Sequence, residues 1–337
     1  MTARVPAKVN LQLAVGPPRA DGYHDLVTVF HAVSLFDEVT VRPADRTKVV
    51  VTGTGAGSVP SGQANLAARA ATALARATRS RRGGKAAVLI EIRKRIPVAA
   101  GLAGGSADAA AALVACNELW GAGASPQELR AVAAEVGSDV PFALLGGTAV
   151  GQGRGEQLTA ALVTGVYHWV LAFAPGGLST PEVYAACDRL RAARAAGATP
   201  SGTLPPRPMP ASELPGAAAD RPPGSAAAMA PQLSTALMAA LRSGDPIAVG
   251  AQLMNDLQPA AVSLRPELRR TLTAGRQLGA LGAIVSGSGP TCAFLAADAA
   301  HARDLAVSLT GAGVCRAVVS VKGPVAGAAV LAAGEPE

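Results

Sequence analysis

The sequence predicts an α+β protein of two domains. Strand-like runs crowd the first 45 or so residues, where apolar side chains alternate or are β-branched. Farther on, alanine-rich segments of helical character are interleaved with short apolar strands. The chain has 337 residues, more than one hydrophobic core usually organises. Half of the residues are hydrophobic and 16% are charged, the balance of a globular rather than a disordered chain. Only 3% are aromatic, so the cores must be built from Ala, Val and Leu.

In chain order, strands are expected at 9–15, 27–33 and 38–42, and a helix at 65–77 from its alanine and leucine content. A β-like run at 86–92 leads to P-V-A-A-G-L-A-G-G-S-A-D at 97–108 and on into an alanine-rich helix over 107–119. S-P-Q-E at 125–128 spells a capping box with proline at the first helical position. A helix should therefore run to about Val136, where Gly137 ends it. G-S-D-V-P at 137–141, a short apolar segment at 142–145 and two strands joined by a tight turn within 146–155 follow. A strand at 168–174 is closed by Pro175 and Gly176, and a helix is expected at 184–196. Nine of the 25 prolines then fall between Pro200 and Pro231, mixed with Ala, Gly and Ser, the composition of a mobile insertion or linker. Helical patterns return at 232–242, 247–257 and 266–278. A strand at 282–285 enters S-G-S-G-P at 286–290, and a strand at 291–295, a helix at 299–309 and a strand at 315–321 complete the pattern.

Several function classes are disfavoured. The net charge is +7, but the one dense basic cluster, at 79–85, has no neighbouring aromatic for base stacking and reads as a solvated loop. Cys116, Cys187, Cys292 and Cys315 are far apart, form no C-x-x-C pair and read as buried reduced thiols; with four scattered histidines they give no metal-site spacing. No apolar run reaches the ~18 residues of a membrane span, and the first ten residues lack a signal peptide's apolar stretch. A cytoplasmic protein is expected.

Certain residues carry chemistry. Gly101, Gly104 and Gly105 permit a tight loop and a close backbone approach, and a helix start behind such a loop is a seat for phosphate. The spacing is neither of the common nucleotide-binding glycine patterns, so alone it is equally an ordinary strand–turn–helix connection. Lys8 is the only lysine before Lys48; it is either a solvated group or a compact ammonium that orients an alcohol. Asp139 either caps the segment at 142–145 or accepts a hydroxyl proton. Tyr23 and His24 are either a turn with a half-buried aromatic or a flat, hydrogen-bonding face for a pyrimidine. The S-G-S-G-P stretch alone would be a hairpin turn.

Set side by side, P-A-K-V-N-L at 6–11 with R-A-D-G-Y-H at 19–24, the loop at 97–108 and the stretch at 282–291 resemble the three spaced motifs of the GHMP kinase superfamily. The R-A-D-G-Y-H element and the G-S-D-V-P turn narrow the likeness to one branch. Its members transfer phosphate from ATP to the C2 hydroxyl of 4-diphosphocytidyl-2-C-methyl-D-erythritol, in the non-mevalonate route to isoprenoid precursors. The likeness covers roughly residues 5–321, with the proline-rich insertion outside it.

The resemblance implies an N-terminal ribosomal-protein-S5-like domain at 1–175 with a left-handed βαβ unit. It implies a ferredoxin-like C-terminal domain at 176–337, with the insertion at about 198–231 and the active site between the two. It implies Lys8 and Asp139 as the catalytic pair. ATP would be held by Pro97, Val98, Ala99, Ala100, Gly101, Leu102, Ala103, Gly104, Gly105, Ser106 and Ala107. Asn65 would contact adenine or cap a helix, and Ser106 would reach phosphate or Mg²⁺, cap its helix, or both. Asp108 is taken as a complement to the helix dipole rather than a metal ligand. Asn10, Tyr23, His24 and Tyr184 would hold the substrate, and Ser286, Gly287, Ser288 and Gly289 would lie near the transferred phosphate. His31, His168 and His301 are read as structural. The cofactors implied are ATP and Mg²⁺, with the Mg²⁺ ligands unassigned, in a monomer or homodimer that binds neither nucleic acid nor membrane.

Overall fold

The computed structural model describes residues 1–79, 86–196 and 230–332. The expected insertion at 198–231 and the basic cluster at 79–85 lie almost entirely outside the described residues.

The chain opens with two long antiparallel strands, β1 (Thr2–Pro18) and β2 (His24–Pro43), in place of the three short ones expected. Register shifts between Pro6 and Ala7 and between Asn10 and Gln12 break the pairing without ending either strand, which is why the pattern looked like separate pieces. β3 (Lys48–Gly53), unforeseen, is joined through helix α1 (Leu66–Ala77) to β4 (Val88–Lys94), and the two strands pair in parallel. The next helix, α2 (Gly104–Leu119), begins three residues before its expected start, inside the glycine loop. Alanines 107, 109–112 and 115 are all buried on it; a helix apolar all round belongs inside a protein, and this one lies against α1 and across β1 and β2.

α3 (Pro126–Val136) carries both halves of the predicted capping box: Glu128 N donates to Ser125 Oγ, and Ser125 N donates to Glu128 Oε2. After the short helix α4 (Val140–Leu145), β5 (Thr148–Gly153) and β6 (Gln157–Ala160) form a hairpin, shifted from the expectation: the 146–155 stretch holds only the first strand. The chain continues through β7 (Tyr167–Phe173), α5 (Thr180–Ala195), α6 (Thr235–Ser243), α7 (Pro246–Ala251), β8 (Met254–Asn255), α8 (Gln258–Leu264) and α9 (Glu267–Gln277). It ends with β9 (Gly282–Val285), β10 (Cys292–Ala296), α10 (Ala299–Gly311), β11 (Ala317–Gly323) and β12 (Ala329–Val330).

The helix expected at 247–257 stops at Ala251. Gly250 sits where a Cβ would collide with the Leu281 carbonyl, and the chain then extends so that Asn255 reaches the loop after β9. Residues 258–264 form α8, which the pattern did not reveal.

Among the described residues there are two sheets. The first has eight strands along the path β12-β1-β2-β4-β3, with β5, β6 and β8 attached at its side. The second is antiparallel, β11-β7-β10-β9, the strand order of a ferredoxin-like βαββαβ unit. β7 is central to this second sheet, so by sheet membership the domains part between Ala160 and Tyr167, ahead of the expected division at 175, and the C-terminal β12 returns to the first sheet. One hydrophobic core runs from α2 and β1 into this second sheet: Tyr167, Trp169, Leu171 and Phe173 join it, while Val170, Ala172 and Ala174 on the opposite face join a second core under α5, α8, α9 and α10. Both sheets are thereby fixed against each other along the cleft they enclose.

Candidate active site

A cleft of about 660 Å³ lies between the two sheets. Its wall is built around Lys8. Lys8 and Asn10 alternate along β1 and so share a face; Lys8 Nζ donates to Asn10 Oδ1 at 2.7 Å and to the Gly101 carbonyl at 2.8 Å. Burial pushes the Lys8 ammonium below its ordinary pKa, and the charge of Asp139 opposes that shift. Asn10 in turn donates to Thr28 Oγ1 at 2.8 Å, so both groups beside the lysine are held.

The glycine loop turns its carbonyls inward. Ala99 O accepts from Leu178 N, Ala100 O from Thr291 N, Gly101 O from Lys8 Nζ and Ser286 Oγ, and Leu102 O from Lys8 N. The N–H groups of Gly104, Gly105 and Ser106 at the start of α2 have no carbonyl a turn earlier to bond, as at any helix N-terminus. Here the three glycines do different work from that expected. Of the left-handed positions, one is Gly101 (φ 76°), and the other two are Ala99 (φ 52°) and Ala103 (φ 59°). Gly104 and Gly105 are helical; a Cβ on Gly104 would stand 3.1 Å from Lys94 Nζ. Left-handed alanines cost on the order of 1 kcal/mol each, and here they bend the loop that borders the cleft.

Asp139 holds the N-cap position of α4 but its side chain makes no capping bond, so its carboxylate is left to the cleft it lines. The capping alternative for this residue is not realised. Ser106 also lines the cleft; the N-cap of its helix is Ala103, so the expected capping role for Ser106 is not realised either. From the far side, Gly287 and Ser288 complete the wall, and a Cβ on Gly287 would come within 3.0 Å of Lys8 Nζ.

Also on the cleft, Tyr23 is 55% exposed with the Arg154 guanidinium 5.2 Å above its ring. His24 is buried and its ring lies 4.9 Å from that of Tyr184, tilted by 38°. Of the positions expected to hold ATP, Ala99 to Gly101 and Ala103 to Ser106 border the cleft. Pro97 and Val98 face a separate recess of about 250 Å³ with Thr54, Gly55 and Ser58. Leu102 and Ala107 are core residues, and Asn65 caps α1, its Oδ1 accepting from Ala67 N and its Nδ2 donating to Pro60 O.

The chain's likeness to known proteins agrees with this arrangement. Residues 65–147 match the family of GHMP kinases N terminal domains, and residues 237–315 match that of GHMP kinases C terminal domains. A 4-diphosphocytidyl-2-C-methyl-D-erythritol kinase of Mycolicibacterium gilvum is 53% identical over 333 residues, covering 99% of this chain and 93% of the relative. That of Thermobifida fusca is 52% identical, covering 98% of each. The chain belongs to the 4-diphosphocytidyl-2-C-methyl-D-erythritol kinase family. A crystal structure of a 4-(cytidine 5'-diphospho)-2C-methyl-D-erythritol kinase superposes with a TM-score of 0.68 at 32% identity, covering 96% of this chain and 98% of that one. The homoserine kinase of Cytophaga hutchinsonii, at 19% identity and a TM-score of 0.67, shares the fold.

Several side chains in and beside the cleft have roles that were not foreseen. Asp108 is not in the first turn of α2 and does not act as a dipole complement. It is buried one turn deeper, where Lys94 Nζ donates to its Oδ2 at 2.8 Å. Lys94 also bonds Asp37 and the Gly104 carbonyl (3.2 Å), and Asp37 Oδ1 accepts from Arg95 N and Ile96 N. Burial raises the Asp108 carboxyl to about 8, opposed by Lys94. Burial alone would lower the Lys94 ammonium; its two carboxylates outweigh this and leave it raised. Asn255 holds the third motif, donating to the Val285 and Gly287 carbonyls at 2.7 Å each. Arg154 and Asp188 line the cleft beside Tyr23 and His24. Among the described residues no group of three His, Cys, Asp or Glu side chains is arranged to hold a metal ion, and no helix is long and apolar enough to cross a membrane.

Proposed function

We propose that this family member phosphorylates the C2 hydroxyl of 4-diphosphocytidyl-2-C-methyl-D-erythritol with ATP, with Asp139 as the base and Lys8 assisting. The observation that carries the assignment of roles is the convergence of Lys8, an uncapped Asp139 and the N-terminus of α2 on one cleft. The triphosphate lies along the loop from Ala99 to Ser106, where the α2 amides and dipole meet its charge. Asp139 accepts the hydroxyl proton as the new O–P bond forms and the bond from the γ-phosphorus to the β-phosphate oxygen breaks, releasing ADP. Lys8, held by Asn10 and Gly101, places an ammonium beside the developing alkoxide. Positioning and electrostatics supply the rate, without a covalent enzyme intermediate.

A divalent cation fits this donor set only as a nucleotide-bound ion. Ser106 would offer such an ion one hard oxygen at the loop, while Asp108 is engaged by Lys94; the ion would supply charge neutralisation on the phosphates. Tyr23, His24 and Tyr184 gather on the same cleft and take the cytosine.

The test is ADP release with the cytidine-diphosphate alcohol, homoserine and mevalonate offered in parallel. Turnover is expected with the first alone; turnover only with either of the others overturns the assignment.

A further inference from the structure

The cleft contains a histidine–carboxylate contact that the phosphoryl-transfer chemistry does not use. His24 Nε2 lies 3.1 Å and 3.2 Å from the two carboxylate oxygens of Asp188. The imidazole is held from three sides. Its backbone follows a turn closed by Arg19 N to Tyr23 O (2.6 Å) and Gly22 N to Arg19 O (3.0 Å), and braced by Arg19 against Asp21 and Asp25. One face of the ring meets Tyr184. Its edge meets Asp188, four residues after Tyr184 on α5, so a single helix face supplies both contacts.

We propose that Asp188 is a specificity-determining positioning residue that fixes His24 as the Nε2–H tautomer and thereby selects cytosine over uracil. An ionised carboxylate only accepts hydrogen bonds, so the nitrogen facing it must carry the proton. In the neutral ring Nδ1 is then an acceptor. Cytosine presents an exocyclic amine, a donor, where uracil presents a carbonyl oxygen. An accepting Nδ1 pairs with the amine and opposes the carbonyl lone pairs, which leaves a uracil base with an unpaired, desolvated acceptor. The proposal rests on the cytidine-directed kinase function given above.

The experiment has two arms. Long-range proton–nitrogen correlation spectra of ¹⁵N-histidine-labelled protein near neutral pH, with the His24 signals assigned by their loss in His24→Gln, read the tautomer directly. Protonation at Nε2 alone is expected, with the pattern moving toward a tautomer mixture in Asp188→Leu. In the second arm, kcat/KM is compared for the cytidine-diphosphate substrate and its uridine-diphosphate analogue. Asp188→Leu should reduce the cytidine preference by roughly 10-fold or more, while Asp188→Asn, whose amide oxygen still accepts from Nε2–H, keeps most of it. The KM for ATP should be unchanged in both. A His24 protonated at Nδ1 in the native enzyme, or equal losses for the two nucleotides in Asp188→Leu, overturns the proposal. Failure of the kinase assignment shows separately, as no ADP release by the native enzyme with the cytidine compound, and overturns the selectivity with it.

Discussion

Two buried lysines hold the two ends of the glycine loop, and they are opposites. Lys8 on β1 bonds the Gly101 carbonyl, and Lys94 at the end of β4 bonds the Gly104 carbonyl. Both are almost wholly removed from solvent. Lys8 has a neutral amide and a carbonyl as its bonded partners, with the carboxylate of Asp139 acting on it through space, and burial wins: its ammonium is held below the ordinary range. Lys94 has two carboxylates in direct contact and is raised. The same side chain in the same degree of burial is therefore a charge left available to a ligand at one end and a neutralised strut at the other. Partner charge, rather than burial, separates the two.

The largest effect expected of this contrast is on catalysis. Lys8→Met and Asp139→Asn should each lower kcat by roughly 10³-fold, with the KM for ATP and the melting temperature little altered. Near-normal turnover in either would remove that residue from the chemistry. Next comes stability. Lys94→Met leaves Asp37 and Asp108 buried without their cation, a loss of about 3 kcal/mol or more. Denaturant unfolding of both lysine variants breaks the comparison if Lys8→Met proves the less stable of the two.

The difference between the lysines was only half legible in the sequence. Lys8 stood out because it is isolated in an arginine-rich chain and sits in P-A-K-V-N-L. Lys94 sits in I-E-I-R-K-R, where alternating charge looks like a solvated strand edge, and Asp37 comes beside it only through the pairing of β2 with β4. Local signals survived folding well: the capping box of α3 and the α+β class depend on neighbours in sequence. What failed was set from a distance. The placement of β7 in the second sheet, the early end of α7 and the role of Asp108 each follow from contacts far along the chain. Asp188 is the exception, since its four-residue spacing from Tyr184 on a predicted helix was readable in advance.

A smaller effect sharpens the Lys8 side without touching Lys94. Gly287 has φ 56°, and a Cβ there would stand 3.0 Å from Lys8 Nζ and 3.1 Å from the Gly101 carbonyl. Gly287→Ala should displace the ammonium by a few tenths of an ångström and lower kcat on the order of 10-fold, with a stability cost of about 1 kcal/mol. An unchanged kcat would mean that the third motif does not set the position of Lys8.

The smallest effect concerns pH, and it tests the Lys94 side. Asp108 is raised from 3.8 to about 8 by burial, and its Oδ1 is buried without a partner. A carboxyl that binds its proton more tightly when folded contributes stability that is complete below its unfolded pKa and is lost as pH climbs toward the folded one. The window runs from about 4 to about 8. Across it the unfolded chain has released the proton that the folded chain keeps, so stability falls with pH by on the order of 1 kcal/mol per unit from this group. Asp108→Asn mimics the protonated carboxyl, keeps an oxygen for Lys94 and does not titrate. Unfolding free energies of the native and Asp108→Asn proteins should therefore be similar near pH 4 and diverge in favour of the variant toward pH 8. A gap that closes or reverses over that range would show Asp108 to be ionised throughout, making Lys94 the centre of a fully charged triad.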